Sequence, residues 1–377
     1  MNGVASPGQA TAFQATVCTG VFTLPMARTG YVVNVVHENS AVKPPKGPKS
    51  MARRLAVVIV SYQTRELLRN CLRTLYDSLG RSLGLLGEVW VVDNASEDGS
   101  AEMVAREFPQ VHLLALPENV GFVRANNRAL AALGFDAPGT PRPDYVFLLN
   151  PDTEVLADAP ARLVHFLEGT PGAGIAGPKL LYPDGRLQHS AFAFPSLVQV
   201  FFDFFPLHGR LLKSRWNGRY PEQWYDAGRP FPVNFLLGAA MMARGEAVAQ
   251  VGLLDERFFM YCEEIDWCMR FWRAGWSVHA VSAAEVVHHE GASTRQFRDR
   301  MFVTLWRSRF LLFEKWYSPQ FQWAARQVVR LGLWWMARQA RAQAARGELG
   351  AEELARRLNA YREVRALPRR HEGTKKT

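Results

Sequence analysis

Residues 55–62 form a nearly continuous apolar run, Leu55-Ala56-Val57-Val58-Ile59-Val60-Ser61-Tyr62. Such a run, rich in β-branched residues, is typical of a strand buried on both faces of a sheet. Residues 65–79 follow with apolar side chains at helical spacing. Further strands are predicted at 89–92, 111–116 and 145–149, with helices at 98–107 and 122–133. This alternation predicts an α/β fold with a mostly parallel sheet covered on both faces.

Length and composition exclude several classes of protein. The chain has 377 residues, of which 48% are hydrophobic and 21% charged, so it can bury a core without disulfides. Collagen, coiled coils and wholly disordered chains are excluded. No apolar run reaches the roughly 18–20 residues of a membrane-spanning helix. The four cysteines have neither zinc spacing nor a disulfide pattern, which favours a reducing cytoplasm.

The positive charge is concentrated at the C-terminus. Residues 301–377 contain 16 lysines and arginines against 6 acidic residues, whereas residues 51–300 contain 25 against 28. A nucleic-acid-binding domain would carry its basic surface on the folded body, so no nucleic-acid partner is expected. The basic tail predicts contact with something anionic, such as the inner leaflet of a membrane.

The chain divides into four predicted regions. Residues 1–50 are expected to be a disordered leader, with Met51 as an alternative natural start, and residues 51–300 the main domain. Prolines and aromatic residues over 192–235 suggest long surface loops or a lid. Residues 301–345 are aromatic and basic with helical spacing, and residues 346–377 are expected to be a charged, partly disordered end.

The helical region at 301–345 has two interpretations. Tryptophans and arginines interleaved on amphipathic helices are typical of a membrane interface. The same pattern is expected of helices that pack on the main domain and turn a basic face to water. The sequence does not separate the two.

Two predicted strands end in an acidic residue at a turn. Asp93 is placed to bind a nucleotide, or to cap an Asx turn. Asp152, in Asn150-Pro151-Asp152, is placed to bind a hard divalent cation, or to sit in a proline turn.

Three further motifs carry candidate chemistry. Glu263, Glu264 and Asp266 lie among aromatic residues, where a carboxylate with a raised pKa can act as a general base; the simpler interpretation is acids at a helix start. His288 is a metal ligand or phosphate contact, or a structural histidine. Gly121, leading into Arg124, supplies phosphate contacts or only a turn.

In this order the motifs resemble the inverting nucleotide-sugar glycosyltransferases of family 2, and within them the rhamnosyltransferase-like branch. The resemblance covers about residues 55–300. The matching segments are 58–62, 92–96, 119–122, 149–153, 238–239, 252–261, 263–266 and 288–293.

The resemblance implies a Rossmann-like, A-type glycosyltransferase fold, here with added C-terminal amphipathic helices. It implies Asp152, with His288, as ligands of Mg²⁺ or Mn²⁺. It implies Glu264 as the catalytic base, with Glu263 and then Asp266 as the other candidates, because the family's usual Glu-Asp pair is Glu-Glu here. The residues expected to contact the nucleotide-sugar are Ser61, Tyr62, Asp93, Asn94, Gly121, Arg124, Asn127 and Asn150.

The predicted function is sugar transfer from a nucleoside-diphosphate donor to a hydroxyl of a cell-surface glycan or lipid-linked acceptor. Two alternatives remain open. A sugar nucleotidyltransferase would typically carry a glycine-rich basic loop after the first strand, and the segment 61–64 lacks one. A non-catalytic membrane-associated scaffold of the same fold would have no use for the acidic cluster.

Overall fold

The computed structural model describes residues 52–289 and 298–368, so the predicted leader at 1–50 lies outside the described residues. The strands are β1 Arg53–Ser61, β2 Leu85–Asp93, β3 His112–Ala115, β4 Tyr145–Leu149, β5 Thr153–Val155, β6 Ala173–Leu181, β7 Leu187–Gln188, β8 Ala191–Phe192, β9 Phe231–Pro232, β10 Phe235–Leu236, β11 Ala240–Arg244 and β12 Ser277–His288.

Helices connect the strands and follow the last of them. They are α1 Arg65–Arg81, α2 Ser100–Glu107, α3 Phe122–Ala132, α4 Ala159–Gly169, α5 Leu197–Phe204, α6 Gly209–Leu212, α7 Glu222–Asp226, α8 Gly245–Val251, α9 Glu263–Arg273, α10 Arg298–Trp316, α11 Pro319–Ala345 and α12 Ala351–Ala366, with a 3₁₀ turn at Arg215–Asn217.

The main sheet has the order β3-β2-β1-β4-β11-β6-β12-β5. Its first four strands are parallel, as the buried apolar runs predict. Strand β11 is antiparallel to both β4 and β6, and β5 is antiparallel to β12. Because β1 and β4 are buried along their full shared length, the sheet is covered on both faces and its polar groups are confined to the strand ends.

Helices pack against both faces of this sheet. One core cluster includes apolar residues of α1, α2 and α4, and the other includes those of α3, α8 and α9. The segment 192–235, expected to be long loops or a lid, instead contains the short helices α5–α7 and pairs of short strands. Its aromatic residues Tyr225 and Phe231 are buried, so it is part of the folded body.

The C-terminal helices form a third core with α5. Trp306, Phe310 and Phe313 of α10 are buried there together with residues of α11 and α12. Gly332 of α11 lies so close to α5 that a side-chain carbon at this position would fall 2.1 Å from the ring of Phe204. The aromatic helices therefore pack on the main domain, as one of the two interpretations requires.

Two expectations about the C-terminus need correction. Residues 351–366, placed in a charged and partly disordered end, form helix α12 and pack on α10 and α11. The described residues belong to one compact unit, so the predicted division at residue 300 does not separate two domains. Within the described residues, no helix is both long enough and apolar enough to cross a bilayer.

Candidate active site

The carboxyl ends of β1, β2 and β4 lie side by side at one edge of the sheet. Ser61 is directly opposite Asp93, and the backbone N–H of Asn94 donates to the Ser61 carbonyl at 2.8 Å. Asp93 is only 3% exposed. Its Oδ2 accepts from the backbone N–H of Ser96 at 3.0 Å, while its buried Oδ1 has no hydrogen-bond partner in the described structure. Asp93 therefore forms the expected Asx turn and keeps one oxygen available for a ligand.

Two neighbouring polar side chains serve the local structure. The side chain of Asn94 donates to Asn119 Oδ1 at 2.9 Å and accepts from the backbone N–H of Val120 at 3.0 Å. The hydroxyl of Ser61 hydrogen-bonds that of Thr64 at 3.0 Å. Tyr62 is half-buried directly after β1. Asn94 thus holds the loop before α3 against the edge that carries Asp93.

Gly121 is required for a close approach between two segments. Its φ is +88°, and a side-chain carbon there would lie 2.6 Å from the ring of Phe259. The backbone N–H of Phe122 donates to the Phe259 carbonyl at 2.9 Å. The start of α3 is therefore fixed to the segment that precedes the acidic cluster, which explains the glycine without a bound phosphate.

Arg124 and Asn127 on α3 contact that same segment. Arg124 is exposed, with its Nε 3.6 Å from Glu256 Oε2. The buried amide of Asn127 donates to the Leu254 carbonyl and to Glu256, and accepts from the backbone N–H of Leu254. Because both N–H groups and the oxygen of Asn127 are used in this way, the structure gives it a structural role in place of the predicted donor contact.

Asp152 and His288 come together through the pairing of β5 with β12. Thr153 lies opposite His288, and the backbone N–H of His289 donates to the Asp152 carbonyl at 2.8 Å. His288 Nε2 lies 3.4 Å from Asp152 Oδ1, which is buried and has no hydrogen-bond partner among the described residues. Both side chains are buried.

Gln188 orients the His288 ring, and nothing in the sequence pattern pointed to it. Its Oε1 lies 3.0 Å from His288 Nδ1, so Nδ1–H donates to it, and Nε2 is the ring nitrogen that faces Asp152. A histidine that ligates a metal typically donates its other N–H in this way. The sequence gives no signal for this contact, because the pairing of β7 with β6, and not a local motif, brings Gln188 to His288.

This pair fits a divalent cation that shares its coordination with ligand phosphates. The partnerless Asp152 oxygen and the adjacent imidazole supply two ligands. Hard cations such as Mg²⁺ are commonly held by one or two carboxylates plus substrate phosphates. Within 52–289 and 298–368, no group of three or more His, Cys, Asp or Glu side chains is arranged to hold a metal unaided.

The acidic cluster opens α9 after a strained backbone segment. Tyr261 and Cys262 have φ of 70° and 66°, the left-handed region that non-glycine residues rarely adopt. Each such residue costs on the order of 1–3 kcal/mol and is found mainly at functional sites. The hydroxyl of Ser308 on α10 donates to the Met260 carbonyl at 2.7 Å, which helps to hold the segment in place.

Glu263 and Glu264 differ in exposure and in pKa. Burial and the nearby Glu264 carboxylate raise the pKa of Glu263 well above its usual range. Glu264 is more accessible than Glu263, but it is still partly buried. This burial raises the pKa of Glu264 to about 7, although backbone N–H groups and Arg309 act to lower it. Each has a buried Oε2 with no hydrogen-bond partner in the described structure. Glu264 can therefore accept a proton near neutral pH.

Asp266 has a different role from its neighbours. It is 0% exposed, and its Oδ2 accepts from Arg270 Nε at 3.0 Å. Its Oδ1 lies 2.6 Å from Lys315 Nζ and accepts from Trp316 Nε1 at 2.7 Å. Since both oxygens are occupied by cations and an indole, Asp266 anchors α10 and is not available as the base.

Strand β11 brings the acidic cluster to the strand ends. The backbone N–H of Asn150 donates to the Ala239 carbonyl at 2.8 Å, directly before β11 pairs with β4. A side-chain carbon at Gly238 would lie 3.5 Å from Cβ of Glu264. The backbone of Gly238 and Ala239 thus lies between the Asn150–Asp152 turn and Glu264.

The chain is similar in sequence to glycosyltransferases. Residues 56–201 match the family model described as "Glycosyl transferase family 2". The N-acetylglucosaminyl-diphospho-decaprenol L-rhamnosyltransferase of Mycobacterium tuberculosis is 33% identical over 248 residues, covering 64% of this chain and 77% of that protein. The chain belongs to glycosyltransferase family 2.

Two more distant similarities were found. The low-salt glycan biosynthesis hexosyltransferase Agl10 of Haloferax volcanii is 24% identical over 71% of this glycosyltransferase and 77% of its own length. A structure of the mannosyltransferase PcManGT of Pyrobaculum calidifontis, in complex with GDP-Man and Mn²⁺, covers 85% of this chain and 86% of its own, with 18% identity and a TM-score of 0.48. A backbone similarity this low does not indicate which residues or ligands this chain uses.

The predicted α/β fold with a mostly parallel sheet, the family and the enzyme class are confirmed. The nucleotidyltransferase and scaffold alternatives are set aside. The roles of the individual site residues stay predictions.

Proposed function

We propose that this glycosyltransferase moves L-rhamnose, with inversion, from a nucleoside diphosphate to a hydroxyl of a lipid-linked glycan acceptor used in building the cell surface. One observation carries the proposal: the Asn150–Asp152 turn, which carries a partnerless Asp152 oxygen, lies across Gly238–Ala239 from Glu264, whose pKa is raised. The partnerless oxygen of Asp93 lies at the same strand-end edge of the sheet, two strands away. The name of the mycobacterial relative supports the choice of sugar and of a lipid-linked acceptor.

On the acceptor side, Glu264 accepts the proton of the attacking hydroxyl. The acceptor oxygen forms a bond to the anomeric carbon as the bond from that carbon to the diphosphate oxygen breaks. A single displacement of this kind inverts the configuration at the anomeric carbon. Asp266 and its partners hold α9 so that the Glu264 carboxylate stays at the sugar.

On the donor side, Asp93 holds the nucleoside through its partnerless Oδ1. Asp152 and His288 are the residues that would hold a divalent cation, Mg²⁺ or Mn²⁺. When bound, such a cation neutralises the charge that develops on the departing diphosphate. Gln188 keeps His288 in the tautomer whose Nε2 is a ligand.

Glu264→Gln tests the base. We expect transfer to fall by at least about 10²-fold, since general base catalysis contributes 10²–10⁴-fold, while donor binding persists. In the unchanged protein, kcat/KM should rise with pH through about 7, because the carboxylate must be ionised to accept a proton. Glu246→Gln, at an exposed position of α8, is the matched control. Transfer by Glu264→Gln at a near-normal rate would exclude Glu264 as the base.

Asp152→Ala tests the cation site by thermal unfolding with a nucleoside diphosphate, with and without Mn²⁺. Ligands that bind only the folded state raise the melting temperature. We expect Mn²⁺ to increase the nucleotide-induced shift in the unchanged protein and not in the variant. Asp184→Ala, on an exposed turn, should behave like the unchanged protein. An undiminished Mn²⁺ effect in Asp152→Ala would rule out this ligand.

The outer face of α11 supports a peripheral association with the inner face of the cytoplasmic membrane. Its exposed apolar residues are Trp323, Leu331, Trp334 and Trp335. Arg330, Arg338 and Arg341 are exposed on the same helix, and Arg338 lies over the ring of Trp334 at 5.8 Å. Tryptophans with flanking arginines are the side chains that bind a lipid headgroup region with anionic lipids.

Flotation with phosphatidylglycerol vesicles tests this face on the full chain. Trp334→Glu with Trp335→Glu should abolish most of the flotation, because two exposed indoles that would insert into the lipid are replaced by charges that anionic lipid repels. The control is Trp216→Glu, since Trp216 is 67% exposed and lies outside α11. Flotation that survives the double change, or that Trp216→Glu removes equally, would contradict a contact through α11.

A further inference from the structure

A cavity of about 520 Å³ lies between the loop at 257–259 and the helices α10 and α12. Its volume is in the range of small-molecule binding sites. The charged side chains that line it are Arg257, Arg300, Arg307, Arg356, Asp299 and Glu363. The described lining therefore carries a net charge of about +2, which favours an anionic ligand.

Two arginines of the cavity, Arg300 and Arg307, have donors to spare, whereas Arg257 binds Asp255 and Arg356 also donates to Glu352. Arg307 and Glu363 are 3.7 Å apart, and Arg356 and Asp299 are 4.0 Å apart, so these pairs are long. Arg300 is exposed and has no ion-pair partner among the residues that the structure describes. Guanidinium groups bind phosphate oxygens through two parallel N–H bonds, which suits a diphosphate.

The cavity adjoins the segment that leads to the catalytic base. Phe259, which is 43% exposed, lines the cavity and packs on Gly121. Ser308 also lines it and bonds the Met260 carbonyl, and the next residue, Arg309, interacts electrostatically with Glu264. A ligand in the cavity would therefore contact the segment that leads to Glu264, whereas neither Asp152 nor His288 lines the cavity.

We propose that this cavity binds the diphosphate of the lipid-linked acceptor, an inference that rests on the proposed function. In an acceptor of the kind that the mycobacterial relative's name gives, a single sugar joined to a lipid through a diphosphate, one sugar ring separates the diphosphate from the attacking hydroxyl. The exposed ring of Phe259 offers an apolar surface for that sugar. Separate sites for the donor and acceptor diphosphates keep their charges apart.

The test uses two acceptors in neutral detergent: a sugar joined through a diphosphate to a short isoprenoid, and the same sugar on a neutral alkyl chain. Arg300→Ala with Arg307→Ala should raise KM for the diphosphate acceptor by roughly tenfold for each arginine. KM for the neutral acceptor and for the donor should not change. Arg365→Ala, exposed on α12 and outside the cavity, is the control.

The outcomes are distinguishable. Equal effects on both acceptors, or no effect, would overturn the cavity assignment while leaving the proposed function. If the double alanine change lowers only the binding to phosphatidylglycerol vesicles, the cavity binds a lipid headgroup, and the assignment to the acceptor diphosphate is wrong. Absence of any transfer by the unchanged protein would refute the proposed function, and this inference with it. If the alanine variant does not fold, Arg300→Lys with Arg307→Lys should show the same selectivity, reduced in size.

Discussion

The site depends on one antiparallel strand inserted into a parallel sheet. Strand β11 pairs with β4 on one side and β6 on the other, and its approach places the Ala239 carbonyl on the N–H of Asn150. A side-chain carbon at Gly238, immediately before Ala239, would lie 3.5 Å from Cβ of Glu264. This pairing brings the Asn150–Asp152 turn next to the start of α9. The hydrogen bond between Asn150 and Ala239 therefore fixes the position of that turn relative to Glu264.

On the far side of α9, a cluster of ion pairs fixes this helix to α10. Lys315 contacts both Asp255 and Asp266, at 2.7 and 2.6 Å, and Trp316 donates to Asp266. These contacts join α10 to the two ends of the segment 255–266, across its strained residues at 261 and 262. Breaking a buried ion pair by removing one partner is strongly destabilising. The C-terminal helices thus support the segment that carries the acidic cluster.

The sequence was most informative where residues act locally, and least where roles depend on distant partners. The parallel strands follow from continuous apolar runs, and Asp93 and Asp152 follow from the positions where those runs end. The pairing of β5 with β12 has no local signal, nor does the contact of Gln188 with His288. Asp266 resembles a catalytic acid in the sequence, because its partners Lys315 and Trp316 are distant along the chain. Helix α12 was missed because its charged sequence offers few apolar residues.

The most direct test is a crystal structure with a nucleoside-diphosphate sugar and Mn²⁺, with the metal located by its anomalous signal. We expect Mn²⁺ within coordination distance of Asp152 and of His288 Nε2, the nucleoside beside Asp93, and the sugar on the Glu264 side of Gly238. A sugar bound away from Glu264, or a cation held by other residues, would contradict this arrangement.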